Sequence, residues 1–95
     1  MTAYVVMTRD RTKDQAELDA YRSKGPSTLN GRPATPIAFY GDLEFLDGEP
    51  IEAAAILAFP TAKEARDWYE SPEYAEARAH RLKGGDYQVF IVEGV

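Results

Sequence analysis

The sequence predicts an α+β fold in the order β-α-β-β-α-β, as a single domain over residues 1–95. Three observations predict it. Short apolar segments rich in Val, Ile and Tyr recur near both ends and in the middle of the chain. Two stretches between them carry helical spacing with recognisable caps and stops. Asp47-Gly48 supplies a hairpin signal between the second and third strands.

Ala3 to Thr8 is apolar on both alternating sets, which predicts a strand with two covered faces. Asp14 to Lys24 follows as a helix with Ala16, Leu18, Ala20 and Tyr21 on its apolar side, stopped by Gly25-Pro26. Gly25 to Pro36 holds three prolines and two glycines, so it reads as a loop or an irregular extension of the helix. Ile37 to Leu46 is the second predicted strand, with a bend at Gly41, and Ile51 to Phe59 returns as the third. Pro60 ends that strand and Thr61 caps the next helix. Ser71-Pro72 interrupts this helix: proline fits a first turn but breaks an interior, and serine is a favoured cap. The helix therefore bends there and resumes through Ala75, Ala79 and Leu82 to Gly84-Gly85. Tyr87 to Val92 is the last strand.

Two right-handed crossovers in this order give a four-stranded antiparallel sheet with both helices on one face, the ferredoxin-like arrangement. Two helices cover one face only. The strands are apolar on both: Val5 and Met7 alternate with Tyr4 and Val6, Ala55 and Leu57 with Ala54 and Ile56, Val89 and Ile91 with Phe90 and Val92. A bare apolar sheet face is a patch that monomers rarely tolerate. A second copy packed sheet against sheet is the simplest cover, and a homodimer is expected.

Composition narrows the function classes. A net charge of −5 disfavours a general nucleic-acid binder, and the basic Arg78, Arg81 and Lys83 are interleaved with acidic residues on the same helical region. No apolar run approaches a membrane span, and the N-terminus lacks a signal-peptide pattern, so a cytoplasmic protein is expected. The absence of cysteine suits a reducing compartment and removes thiolate metal sites.

Phe39-Tyr40-Gly41, Glu44-Phe45-Leu46-Asp47-Gly48, Phe59-Pro60, Ala65-Arg66-Asp67-Trp68-Tyr69, Ser71-Pro72-Glu73-Tyr74, Arg78, Arg81 and Val92-Glu93-Gly94 together resemble the family catalogued as domain of unknown function 1330. The resemblance covers nearly the whole chain and implies a dimeric α+β barrel. It departs from the family pattern at the proline-rich Gly25 to Pro36 stretch and at His80, where an apolar residue is more usual. Dimeric α+β barrels include cofactor-free monooxygenases, haem-degrading enzymes, lactone isomerases and ligand-sensing domains. Their shared element is a cavity between each sheet and its helices, which locates a site without assigning an activity.

His80, the only histidine, is a candidate general acid or base, set against a surface histidine near a helix C-terminus. Tyr74, Arg78 and Arg81 share a helical face at i, i+4 and i+7. Arginine grips a carboxylate and tyrosine can orient or protonate an oxygen, so this face suits a small acid or enolate. The competing reading pairs the arginines with Glu73, Asp86 or Glu93. Trp68, Tyr40 and Tyr21 are candidate cavity-lining residues, although aromatics at helical spacing are more often core. Asp42 and Glu44 would alternate with Tyr40 on the second strand, as a carboxylate pair or as charges guarding an edge. No metal site and no cofactor are expected. The sequence thus points to a small homodimer with one cavity per subunit: an enzyme moving a proton at an activated carbon through Tyr74 or His80, a non-catalytic binding or sensing domain, or a purely structural dimer.

Overall fold

The computed structural model describes residues 1–95. The strands are β1 (Ala3–Thr12), β2 (Thr35–Phe39), β3 (Ala53–Phe59) and β4 (Gly85–Glu93), and the helices are α1 (Gln15–Lys24), α2 (Ala62–Tyr69) and α3 (Pro72–Gly84). They form one antiparallel sheet in the order β2-β3-β1-β4. This is the ferredoxin-like order, with the helices on one face.

Each helix starts where its cap dictates. The Asp14 carboxylate accepts from the Ala16 and Glu17 N–H groups at 3.1 and 3.4 Å, and the Thr61 hydroxyl accepts from the Glu64 N–H at 3.1 Å. Ser71 does two jobs at the predicted break. Its Oγ accepts the Tyr74 N–H at 3.2 Å to start α3 and donates to the Trp68 carbonyl at 2.7 Å to close α2. Where α3 ends, the Gly84 carbonyl accepts from the Lys13 and Asp14 N–H groups at 2.7 and 3.0 Å, tying the entry of α1 to the exit of α3. A Cβ on Gly84 would lie 2.5 Å from Leu18 Cδ2, so any larger residue would force Leu18 aside at this close crossing.

Strand parity sorts the sheet. Val5 and Met7 of β1 and Ala55, Leu57 and Phe59 of β3 are buried beneath the helices, where they pack with Ala65, Trp68, Tyr74 and Ala77. The opposite face carries Tyr4 and Val6, Ala54 and Ile56, and Phe90 and Val92. Phe90 and Val92 are 48% and 47% exposed in the single chain. Both faces are apolar, as the alternation predicts.

The second and third strands are shorter than the sequence predicts. Pairing stops at Phe39↔Ala55, and the Tyr40 N–H makes a last bond to the Ala54 carbonyl at 2.8 Å. Tyr40 then turns the chain with a φ of 58°, the only non-glycine residue with a positive value. Residues 41–50 form an exposed, non-strand arm. It carries Asp42, Glu44, Asp47 and Glu49 with no basic residue, and the mutual repulsion of such charges opposes an edge hairpin. Asp42 and Glu44 therefore do not share a strand face with Tyr40. Asp47-Gly48 lies in a bend, with Gly48 at a φ of 85°, and closes no hairpin. Within the proline-rich stretch, Pro26–Leu29 forms a 3₁₀ turn, whose Thr28 hydroxyl bonds the Gly25 carbonyl at 2.6 Å.

Candidate functional site

α1 packs chiefly against α3 and stands off the sheet. The gap is a cavity of about 480 Å³, floored by Met7, Ala53 and Leu57, walled by Leu18, Tyr21, Trp68 and Tyr74, and rimmed by Leu29, Phe39 and Tyr40. Such a volume suits a small organic molecule. Its lining is mostly apolar, with the polar groups gathered at two places.

The first is a pair of phenols. The Tyr21 and Tyr74 hydroxyls meet at 2.8 Å, with their rings edge to face at 6.2 Å. Tyr74 is held by Trp68, 4.2 Å away between ring centres, and Trp68 by Phe59 and by a bond from its Nε1 to the Thr28 hydroxyl at 3.0 Å. Through Thr28 the 3₁₀ turn is thus fastened to the aromatic wall.

Behind the phenols lies Arg81, only 2% exposed. Its Nη2 donates to the Tyr69 hydroxyl at 2.9 Å, and its guanidinium stands 5.1 Å from the centre of the Tyr87 ring. No carboxylate pairs with it, and its Nε is buried without a hydrogen-bond partner. A guanidinium stays charged in proteins, and a buried cation left without an anion is costly. Burial pushes the Tyr74 hydroxyl pKa up, while the bond with Tyr21 and the nearby Arg81 hold back part of the rise. Burial also drives the Tyr21 pKa upward, with Tyr74 beside it adding to the effect. Tyr40 is pushed up to about 12, again by burial and then by its tyrosine neighbours. At neutral pH all three are therefore protonated donors.

The second polar group sits at the end of β1 and β4. Arg9 Nε donates to Glu52 Oε1 at 3.0 Å, its Nη1 reaches the Tyr87 hydroxyl at 3.4 Å, and the Thr12 hydroxyl donates to the same Glu52 oxygen at 2.7 Å. Arg9, Glu52 and Tyr87 all line the cavity.

Of the residues singled out from sequence, Tyr74, Tyr21, Tyr40 and Trp68 converge on the cavity. Arg81 backs it without lining it. Arg78 lies elsewhere, donating to the Tyr69 carbonyl at 3.0 Å and stacking on the Tyr69 ring. His80 also faces away, its Nδ1 2.6 Å from Glu17 Oε2 across the α1–α3 contact. Neither arginine pairs with Glu73, Asp86 or Glu93; Asp86 instead meets Arg11 and Lys13. Sequence reasoning missed Arg9, Tyr87 and Glu52. A signal existed for two of them: Arg9 continues the inward set Ala3, Val5, Met7, and Tyr87 continues Val89 and Ile91. No cluster of three or more His, Cys, Asp or Glu side chains is placed to hold a metal, and no helix is long and apolar enough to cross a membrane.

Solved structures share this architecture. A protein of unknown function from Rhodopseudomonas palustris superposes with a TM-score of 0.74 at 14% identity, over 99% of this chain and 82% of its own. A dimeric protein of unknown function and ferredoxin-like fold from Bacteroides fragilis gives 0.63 at 13% identity, over 98% and 96%. An ethyl tert-butyl ether D (EthD) family protein from Bacillus halodurans gives 0.65 at 10% identity, with both chains fully covered. At these identities the likeness is one of fold. Among curated proteins none matches the sequence. The domain of unknown function DUF1330 matches residues 2–95, and the chain belongs to that family.

Proposed function

We propose that this protein is a cytoplasmic homodimer that binds one small organic acid or carbonyl compound in the cavity of each subunit, with no metal or resident cofactor. The observation that carries the reading is Arg81: a buried cation with no carboxylate of its own, set behind two phenol donors at the wall of an apolar cavity. An anionic or electron-rich oxygen accepting from Tyr74 would meet the stabilisation that Arg81 lacks from the protein. The chain as a whole is acidic, yet the cavity lining holds Arg9 and Arg22 against the single carboxylate of Glu52. The local field thus favours an anion that the rest of the surface repels. Trp68, Leu57, Met7 and Leu29 would enclose its apolar body.

Self-association is supported by the uncharged outer sheet face around Val6, Ile56, Phe90 and Val92, and by the dimeric state of the similar Bacteroides fragilis protein. Sedimentation should give twice 10.6 kDa. A monomer would remove that part of the reading.

Thermal shifts across a panel of small organic acids and their methyl esters test the ligand class, because a ligand at 100 times its Kd stabilises by about 2.7 kcal/mol. Acids or enolisable carbonyls should shift the transition. Tyr74→Phe and Arg81→Met, checked for folding by circular dichroism, should each weaken the effect about tenfold or more, the first by loss of a hydrogen bond to a charged group and the second by loss of the positive charge behind it. Unchanged affinity in both variants would refute the site.

A further inference from the structure

We propose that the cavity also performs proton transfer at carbon, with Glu52 as the base and the Tyr74–Tyr21 pair holding the resulting enolate oxygen. This rests on the cavity being the site for a small acid or carbonyl compound. Glu52 is the only carboxylate in the cavity lining. It stands just before β3, where its N–H donates to the Arg9 carbonyl at 2.8 Å. Its Oε1 receives both side-chain donors, Arg9 Nε at 3.0 Å and the Thr12 hydroxyl at 2.7 Å. None falls on Oε2, which is left free to accept a proton. Two side-chain contacts thus fix the carboxylate, a third holds its backbone, and one oxygen is left for chemistry.

Elimination points to the same residue. Tyr21, Tyr40 and Tyr74 are protonated at neutral pH, Arg9 and Arg22 are cations, and His80 is turned away to Glu17. No other carboxylate and no imidazole lines the cavity. The Thr12 hydroxyl, and after it Arg9, hold the Glu52 pKa below the ordinary carboxylate range, so it is ionised throughout the neutral range. It is consequently a weak base, which restricts the substrate to a carbon acid already activated by a carbonyl, such as a 2-oxo acid. Enolate stabilisation must supply the rest, and the donors for it are the phenols backed by Arg81.

The step balances without a co-reactant. A hydrogen α to the carbonyl leaves carbon as a proton and bonds to Glu52 Oε2. The C–H electron pair becomes the C=C bond of the enolate, and the carbonyl π pair moves onto oxygen, where the Tyr74–Tyr21 pair donates to it. Return of the proton to the same carbon is exchange with solvent; return elsewhere shifts a double bond.

The test uses phenylpyruvate and 2-oxobutyrate as probes in D2O, with deuterium incorporation at the α-carbon followed by proton NMR and binding followed separately by thermal shift. The wild-type protein should bind at least one probe and accelerate its exchange over buffer. Glu52→Gln should bind it comparably and lose about 10²–10⁴-fold of that acceleration. Glu52→Asp, which keeps the carboxylate but retracts it, should fall between the two, and the wild-type rate should decline as pH falls into the carboxylate range. Tyr74→Phe should lose binding and exchange together. If the wild-type protein binds a probe without accelerating exchange, or Glu52→Gln exchanges as fast as wild type, the base assignment is overturned and the binding site stands. If neither probe binds, the assignment falls together with the reading beneath it.

Discussion

The two walls of the cavity are built differently. On one side Trp68, Tyr74 and Phe59 are among the largest fully buried side chains, their rings interlock, and Ser71, Thr28 and Arg81 fasten them from behind. On the other side Phe39 and Tyr40 hang from an edge strand in which every residue is exposed. The first wall is fixed by packing and the second chiefly by backbone pairing with β3. The contrast separates two functions of one enclosure. In the proposed function the aromatic wall would hold donors in place for a ligand oxygen, and the exposed edge wall would be the side that can yield to admit one.

The sharpest way to break the contrast is to truncate one residue on each side. Trp68→Ala removes a buried indole at the centre of the ring cluster and should cost about 3–5 kcal/mol in urea unfolding. Phe39→Ala, at 51% exposure, should cost well under about 1 kcal/mol. It should instead alter ligand affinity, because Phe39 lines the cavity. Equal losses of stability would show that both walls are structural, and the division drawn between them would be wrong.

The fixed wall was also the legible one. Ser71-Pro72 announces its break through local capping chemistry, and the inward parity of β1 and β3 is written in their alternation. These are short-range rules, acting within one turn or one strand. The rest depends on long-range register. Arg9 meets Tyr87 because β1 pairs with β4, and meets Glu52 because the chain returns to the same strand end after a 13-residue excursion from Tyr40. His80 shows the reverse difficulty. Its chemistry drew attention, but helical phase sets it against Glu17, one position from Arg81 and on a different face. Chemical type is visible in a residue; direction is visible only after packing.

A smaller perturbation sharpens the comparison from the α1 side. Gly84→Ala would place a Cβ within 2.8 Å of Leu18 Cγ and closer still to Cδ2. Leu18 must shift, and since it lines the cavity, the strain is passed to the site. The expected cost is about 1–3 kcal/mol, with a change in ligand affinity accompanying it. A stability loss with affinity unchanged would show that α1 yields outward, away from the cavity.

The smallest effect expected is one of pH, and it distinguishes the walls by their phenols. The Tyr21 and Tyr74 pKa values are raised by burial, and Tyr40 is pushed up to about 12. A phenol whose pKa is higher in the folded than in the unfolded protein binds its proton more tightly when folded. Its contribution to stability is complete below about 10, the ordinary tyrosine value, and is lost as pH rises towards the folded value. An alkaline titration followed by tyrosinate absorbance should therefore be biphasic. Tyr40 ionises near 12, while Tyr21 and Tyr74 ionise only as the aromatic wall unfolds. Tyr40→Phe should delete one reversible step without moving the cooperative one. If instead Tyr21 and Tyr74 titrate reversibly along with Tyr40, the wall is wet, and its phenols lack the sheltered setting in which they would hold an enolate.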